Sequence, residues 1–318
     1  MVKIAIVGGS GNVGQEIIDA LVARNKHEII LLSRKDAPPE YAAPGVTWVK
    51  TSYEDPEQLV KILRGVDTVL SFVTVATDPG NLTQRNLIDA AVRAGVRRFA
   101  PSEWAASDSE ESMPWYQGKL EIRKYLRELN KQGKILEYSL FQPGLFMNYF
   151  TYPYPSTKHV QMMPTPIDYH NCRALMVEGS DDARVSLITA QDLATFVVRA
   201  VEYEGEWPRV GGIRASELMI RQIVQVGERV RGRPFTVESL KVDDLKAGVV
   251  KSSWLPKPTH PSLTPEEADT QAEAMTAGIL LGLAAEALKV SDEWNKLLPD
   301  FVFTKAEDFL TEAWRGKP

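Results

Sequence analysis

The sequence is poor in the residues that build disulfide scaffolds and metal centres. It has a single cysteine, Cys172, in 318 residues, so it can form neither an internal disulfide nor a multi-cysteine zinc site. None of its four histidines stands in the spacing of a metal motif such as H-E-x-x-H. We therefore expect no metal ion and, because free thiols suit a reducing compartment, a cytoplasmic protein.

Basic runs and long apolar segments are also missing. The 37 lysines and arginines face 42 aspartates and glutamates, a net charge of −5, and no basic run tracks a phosphate backbone. The longest uncharged stretch, 138–157, holds three prolines, and the apolar stretch 274–285 is too short to span a bilayer. The first residues lack signal-peptide anatomy. We therefore expect no nucleic-acid or membrane partner, but a small-molecule substrate.

The first 100 residues alternate strand and helix patterns. Apolar runs rich in β-branched residues predict strands at 4–7, 29–32, 46–49, 68–75 and 98–100, and helical spacing predicts helices at 15–25, 56–63 and 81–94. Near-continuous apolar strands are typical of a parallel sheet covered on both faces. The predicted fold is α/β, a Rossmann-type doubly wound parallel sheet with a smaller C-terminal substrate lobe.

Prolines punctuate the chain after residue 150 and mark a change of organisation. We assign residues 1–150 to a nucleotide-binding Rossmann domain and residues 151–182 and 206–318 to a substrate-binding lobe. A strand–helix pattern at 183–205 is expected to return to the main sheet, and 216–230 is predicted to be a helix.

A glycine-rich loop stands between the first strand and the first helix. Gly8, Gly11 and Gly14 form a G-x-x-G-x-x-G frame, which permits a tight turn, close approach to a pyrophosphate and close helix–strand packing. The following helix N-terminus offers N–H groups to phosphates. We predict that a dinucleotide contacts Gly8, Ser10, Gly11, Asn12, Val13 and Gly14. A glycine-rich turn without a ligand is the alternative.

The end of the second strand carries cations where an NAD-binding protein places an acidic residue. Ser33, Arg34 and Lys35 occupy that position, and the first carboxylate is Asp36. The forked donors of an arginine suit a 2′-phosphate, which favours NADP(H) over NAD(H). Ordinary solvated surface charges are the alternative.

The catalytic candidates follow the fifth strand. Ser102 comes directly after it, where ligands bind in open α/β sheets. Lys119 lies at the edge of the apolar stripe of a later helix, where desolvation would lower its pKa and make it a proton donor or acceptor near neutral pH. A snorkelling surface lysine is the alternative. Tyr116 is also a candidate, although it lies three residues from Lys119 rather than four, and an aromatic pocket wall is equally compatible.

Further binding contacts are predicted from strand ends and aromatic clusters. We predict cofactor contacts from Phe72 and Val73, from Lys119, and from the Pro143, Gly144, Leu145 and Phe146 turn. We predict a flat apolar substrate pocket from Trp104, Phe146, Tyr149, Phe150, Tyr169 and His170. Simple core packing of these aromatic residues is the alternative.

Four features in order resemble the NmrA-like and isoflavone reductase-like family of atypical short-chain dehydrogenases/reductases. They are the Gly8–Gly14 loop, Arg34, the stretch Arg97–Trp104 and the stretch Lys119–Arg123. The family's Pro-Ser-Glu-Phe-Gly is represented here by Pro-Ser-Glu-Trp-Ala. Because of this departure, the particular plant reactions are not carried over.

The resemblance implies an NADPH-dependent oxidoreductase, in secondary metabolism, that reduces a small aromatic, phenolic or quinone-like molecule. It implies hydride transfer from the nicotinamide, with Lys119 as general acid/base, and a homodimer as the family-level expectation. Two alternatives stay open, a non-catalytic NADP(H)-binding redox sensor and a redox-neutral isomerase or lyase on the same scaffold.

Overall fold

A computed structural model describes residues 1–38, 45–107, 113–257 and 264–318. Its strands are β1 (Lys3–Val7), β2 (Glu28–Ser33), β3 (Val46–Lys50), β4 (Thr68–Ser71), β5 (Arg98–Ala100), β6 (Glu137–Tyr138), β7 (Leu140–Gln142), β8 (Leu145–Phe146), β9 (Ile167–Asp168), β10 (Arg173–Val177), β11 (Arg184–Ile188), β12 (Val210–Gly212), β13 (Ser216–Met219) and β14 (Thr236–Leu240). Its α-helices are α1 (Asn12–Arg24), α2 (Pro56–Leu63), α3 (Leu82–Ala94), α4 (Gln117–Leu129), α5 (Ala190–Glu202), α6 (Ile220–Arg231), α7 (Val242–Lys246), α8 (Pro265–Ala284), α9 (Glu293–Leu297) and α10 (Ala306–Trp314).

The central sheet has six parallel strands in the order β3-β2-β1-β4-β5-β6. Val7 of β1 lies opposite Leu32 of β2 and opposite Ser71 of β4. The loops that follow these three strands therefore meet at one edge, and the strand order reverses there, where open α/β sheets bind their ligands. The predicted doubly wound Rossmann-type sheet is confirmed.

Both faces of this sheet are buried, as the continuous apolar strands predict. Successive side chains of a strand point to opposite faces. Ile6 packs in one apolar cluster with Ile17 of α1, whereas its neighbour Val7 packs in a second cluster with Leu87 of α3. The helices therefore cover the sheet on both sides and hold the strand ends in fixed positions.

The second half of the chain forms smaller sheets. β12 runs parallel to β7, which almost directly continues β6. Two three-stranded sheets have the orders β13-β11-β8 and β14-β10-β9. The predicted substrate lobe is therefore rich in short strands. Strand β8, which follows β7 closely in the chain, pairs with β11 in one of these sheets.

The strand of the strand–helix unit at 183–205 does not join the six-stranded sheet. Helix α5 packs against α1, and Arg24 Nε lies 2.9 Å from Glu202 Oε1. Strand β11 differs from the expectation, because it pairs with β8 on one side and β13 on the other. The partner of a strand is chosen by tertiary packing, which the local apolar run does not specify.

The helix predicted at 216–230 is also corrected at its start. Residues Ser216–Met219 form β13, with Leu218 opposite Val185, and the helix begins only at Ile220. The four residues Ser216–Met219 are too few for their pattern to distinguish helix from strand, and pairing with β11 decides between them.

In the described ranges, no helix has the length and apolar character needed to cross a membrane. Within the same ranges, no group of three or more His, Cys, Asp or Glu side chains is placed to hold a metal ion. His260 lies outside the described residues.

Candidate active site

The glycine loop approaches the backbone of the neighbouring strand very closely. Gly8 has φ +70°, and a Cβ built on it would lie 2.9 Å from the carbonyl oxygen of Phe72. A Cβ on Gly14 would lie 2.8 Å from the Cα of Gly9. Only glycine fits these two positions, because one needs a left-handed backbone and both leave no room for a side chain. The loop therefore lies directly against Phe72, one of the predicted cofactor contacts.

Helix α1 begins with its amide groups open to a ligand. Gly11 is the N-cap residue, no side chain caps the helix within the described part of the chain, and its first turn carries no acidic residue. The amides that open a helix lack intrahelical partners and form the positive end of the helix dipole. Asn12 and Val13 are the first residues of this turn, so the loop and helix form a cradle suited to a pyrophosphate.

The residues after β2 present a cation next to a tyrosine. Ser33 is the last residue of β2, and its Oγ accepts a hydrogen bond of 3.0 Å from the amide of Lys35. The Arg34 side chain is exposed, and its guanidinium carbon lies 5.9 Å from the centroid of the Tyr53 ring. Asp36 is paired with Lys50 at 2.7 Å. The carboxylate that follows Arg34 in the sequence is thus paired with Lys50, and the exposed Arg34 guanidinium is the candidate site for an anion.

A cavity of about 620 Å³ opens at this place, within the range of small-molecule sites. Its lining residues are Arg34, Lys50, Thr51, Ser52, Tyr53, Glu54, Gln58, Thr77, Asp78, Pro79, Leu82 and Thr83. Burial raises the pKa of the Tyr53 hydroxyl above its ordinary value. The lining joins the Tyr53 ring and two cations with the carboxylates Glu54 and Asp78, and its volume suits the adenosine end of a phosphorylated dinucleotide.

Lys50 and Tyr53 are contributors that the sequence analysis missed. They stand at and just beyond the end of β3, the strand next to β2. The rule that the carboxyl ends of neighbouring parallel strands share one edge was the available signal.

Lys119 is half-buried at the carboxyl edge of the sheet. Its Nζ donates a hydrogen bond to the main-chain carbonyl of Glu103, three residues beyond the end of β5, and lies 4.6 Å from the centroid of the Tyr116 ring. A Cβ on Gly118, the residue before it, would lie 2.6 Å from Val75, so α4 packs closely against the segment after β4. The structure therefore brings Lys119 and Tyr116 together at the strand ends.

Ser102 lies in the same loop. It is 8% exposed, and its amide donates a hydrogen bond of 2.9 Å to Oε1 of Gln84 in α3. The next residue, Glu103, forms a buried ion pair with Arg123 of α4. No role was predicted from the sequence for Gln84 or for Glu103, although Glu103 belongs to the stretch that carries the family resemblance.

The aromatic residues predicted to line a pocket occupy different environments. Trp104 is 9% exposed and stacks between Phe72 and Phe141, at 4.5 and 5.2 Å between ring centroids. Its Nε1 donates to the Ser71 carbonyl at 2.7 Å. Its indole thus fixes the loop after β5 against the ends of β4 and β7.

Phe150, Tyr169 and His170 lie in the smaller part of the protein. Phe150 and Tyr169 are buried and stacked at 5.3 Å, and the Tyr169 hydroxyl donates to the Ile223 carbonyl at 2.6 Å. The His170 ring stacks on Trp314 of α10 at 6.3 Å. In this structure these three rings pack among α6, α10 and the segment that follows β8.

The turn after β7 connects the two halves. Gly144 has φ +72° and its amide donates to the Ala105 carbonyl at 2.9 Å, while Pro143 is buried. Leu145 and Phe146 then form β8, and Phe146 packs edge-on to Tyr149 at 5.9 Å. Burial raises the pKa of Tyr149 to about 12. Val73, like Phe72, stands just after β4, and it is buried.

Comparison with known proteins places this geometry in a family. The model of the NmrA-like family matches residues 2–297. The oxidoreductase swnN of Metarhizium robertsii is 26% identical over 344 residues, which cover 100% of this chain and 98% of that protein. The bifunctional pinoresinol-lariciresinol reductase 1 of Linum usitatissimum is 23% identical over 263 residues, covering 77% and 80% of the two chains.

A solved structure has the same fold. The NADPH-dependent quinone oxidoreductase QOR2 of Escherichia coli, complexed with NADPH, superposes with a TM-score of 0.69 at 20% identity. The match covers 97% of this chain and 99% of that one. The resemblance noted in the sequence is confirmed, and this chain belongs to the NmrA-like family.

Proposed function

We propose that this protein is an NADP(H)-dependent oxidoreductase that reduces a small aromatic, phenolic or quinone-like molecule. The observation that carries the proposal is the place of Lys119, half-buried at the same sheet edge as the glycine loop. The names of the relatives support it, since they include oxidoreductases, a pinoresinol-lariciresinol reductase and a structure complexed with NADPH.

The chain's own residues fit the cofactor at both ends. The open N-terminus of α1 and the loop Gly8–Gly14 receive the pyrophosphate, and Arg34 binds a 2′-phosphate beside the Tyr53 ring. Phe72 and Val73, just after β4, and Pro143 and Gly144, just after β7, are the expected contacts at the nicotinamide end. When bound there, NADPH supplies a hydride to an electrophilic carbon of the substrate.

Lys119 holds the proton of the reaction. Its ammonium is oriented by the Glu103 carbonyl and by the Tyr116 ring. The proton on Nζ passes to the oxygen of the substrate that gains electron density, while hydroxyl donation by Ser102 positions that oxygen. The half-buried rings of Tyr116 and Tyr149, with Phe146 behind the latter, supply a flat apolar wall.

Replacing Lys119 tests this role. Lys119→Ala should lose at least about 100-fold in turnover, a typical contribution of a general acid, but keep its affinity for NADPH. Lys124→Ala, which removes an exposed lysine from the same helix, is the matched control. Turnover is followed by NADPH oxidation with menadione as the quinone acceptor, and affinity by NADPH fluorescence. Undiminished turnover in Lys119→Ala would remove this residue from the mechanism.

Three further measurements test the role of Tyr116, the sensor alternative and the predicted homodimer. Tyr116→Phe keeps the ring under Nζ, so unchanged turnover identifies a pocket wall, and a loss equal to that of Lys119→Ala identifies a proton-transfer role. NADPH binding without turnover of quinones or phenolic ethers would favour a redox sensor. Sedimentation of the purified protein tests the predicted homodimer.

A further inference from the structure

We infer that the buried ion pair between Glu103 and Arg123 is a positioning device for Lys119. It rests on the proposed role of Lys119 and adds two residues that do not themselves touch the reacting atoms. The pair fixes the loop that carries the Glu103 carbonyl, and that carbonyl orients the Lys119 ammonium.

The geometry joins the three residues into one unit. Lys119 and Arg123 are four residues apart on α4, so they lie on the same face of the helix. Arg123 Nε donates to Glu103 Oε1 at 3.0 Å, and its Nη2 donates to Glu103 Oε2. Lys119 Nζ donates to the main-chain oxygen of the same residue. One residue of the β5 loop thus binds two successive turns of α4.

The burial and the two hydrogen bonds of the Glu103–Arg123 pair explain why it can hold the Glu103 carbonyl oxygen in place. Both side chains are 2% exposed, and two parallel hydrogen bonds fix distance and angle at once. The amide of the preceding residue, Ser102, is held separately by Gln84. With the side chain and the preceding amide both bound, the Glu103 carbonyl has little freedom, and the ammonium it accepts from is preorganised.

A second buried pair provides a matched control at the other end of the same strand. Arg98, the first residue of β5, donates from Nε to Glu137 Oε1 at 2.7 Å, and it is also 2% exposed. Its guanidinium lies over the Trp207 ring at 5.1 Å, away from the carboxyl edge where Lys119 lies. A change there perturbs a buried arginine–glutamate pair without touching the loop that carries Glu103.

The first experiment compares kinetics in these two places. Arg123→Gln should lower kcat for menadione reduction by about 10- to 100-fold with little change in the KM for NADPH, because a small misplacement of a catalytic group has that effect. Arg123→Lys, which keeps the charge but loses the fork, should recover part of the loss. Arg98→Lys should lower the melting temperature and leave kcat unchanged. A loss of kcat in Arg98→Lys that matches the loss in Arg123→Lys would overturn the inference.

The second experiment couples Arg123 to Lys119. In a Lys119→Ala background, Arg123→Gln should reduce the residual turnover no further, because the effect passes through the lysine. Equal losses in both backgrounds would show that the pair acts only on the fold and would overturn the inference.

A third readout needs no turnover and therefore separates this inference from the proposed function. Wild type, Arg123→Gln and Arg98→Lys are pulse-labelled with an acetylating reagent without cofactor, and each lysine is quantified by mass spectrometry. Lys119 should react severalfold faster in Arg123→Gln, while Lys124 stays unchanged and Arg98→Lys matches wild type. An unchanged labelling rate at Lys119 would refute the positioning role even if no acceptor is ever reduced.

Discussion

Arg34 offers the sharpest test of cofactor choice. Arg34→Ala removes the exposed guanidinium that faces the cavity beside Tyr53, while the glycine loop and the N-terminus of α1 stay intact. A charge-assisted hydrogen bond to a phosphate contributes roughly 1.5–3 kcal/mol, and solvent screening at an exposed site reduces this to about 1–2 kcal/mol. We therefore expect the Kd for NADPH to rise by about 5- to 30-fold.

The affinity for NADH should stay as it is in the wild type, because NADH has no 2′-phosphate for Arg34 to bind. Lys50→Ala should act in the same direction, since it removes a second cation that lines the cavity and leaves the carboxylate of Asp36 without its partner at 2.7 Å. Both effects should shrink as salt is added, because the Debye length falls to about 8 Å at physiological ionic strength.

The assay is fluorescence titration of each variant with both cofactors at low and physiological salt. Lys131→Ala, which removes an exposed lysine beyond the end of α4, controls for the change in net charge. Equal weakening of NADPH and NADH, or a preference for NADH in the wild type, would refute the assignment of the 2′-phosphate to Arg34.

Two further predictions concern the loop and the packing of α1. Gly8→Ala should destabilise the protein by about 1–3 kcal/mol and weaken NADPH binding, because the new Cβ would lie 2.9 Å from the Phe72 carbonyl. Gly65→Ala is the control, since Gly65 has a similar φ of +74° but open space around it. Equal losses of melting temperature in the two variants would contradict the argument from the Phe72 contact. The hydrogen bond from Arg24 holds the pKa of Glu202 at about 2, below its usual 4.5. Its stabilising effect is therefore complete above pH 4.5 and lost as the pH falls through about 2. Glu202→Gln should lower the melting temperature at neutral pH, and the difference in melting temperature between variant and wild type should vanish as the pH falls from 4.5 to about 2. A difference that stays constant with pH would show that the ion pair between α5 and α1 does not cause the loss of stability.

The parts of the fold that follow from local pattern were predictable. The alternation of strand and helix through residue 100 is read from spacing alone, because each βαβ unit is built from neighbours in sequence. The loop Gly8–Gly14 was predictable for the same reason, since its glycine spacing lies between the first strand and the first helix of the sequence. Arg34 follows directly from its place at the end of β2.

The parts that depend on pairing between distant segments were not predictable in this way. Strand β11 was expected to return to the main sheet, but its partners are β8 and β13. The segment Ser216–Met219 has a pattern compatible with helix, and becomes a strand because Val185 and its neighbours offer an edge. The sequence of a strand does not indicate which distant segment of the chain will pair with it.

The same distinction explains how far the site itself could be predicted. The spacing of Lys119 and Arg123 predicts that they share one face of α4, but not which loop that face meets. The structure turns it toward Glu103, so that a residue known only as part of a family stretch becomes the common partner of two cations. A lysine at the edge of an apolar stripe is ordinary when it snorkels to solvent. Lys119 becomes a candidate acid because the buried Glu103–Arg123 ion pair fixes the Glu103 carbonyl that accepts its hydrogen bond. For this reason Arg123, rather than Lys119 alone, is the informative residue to change.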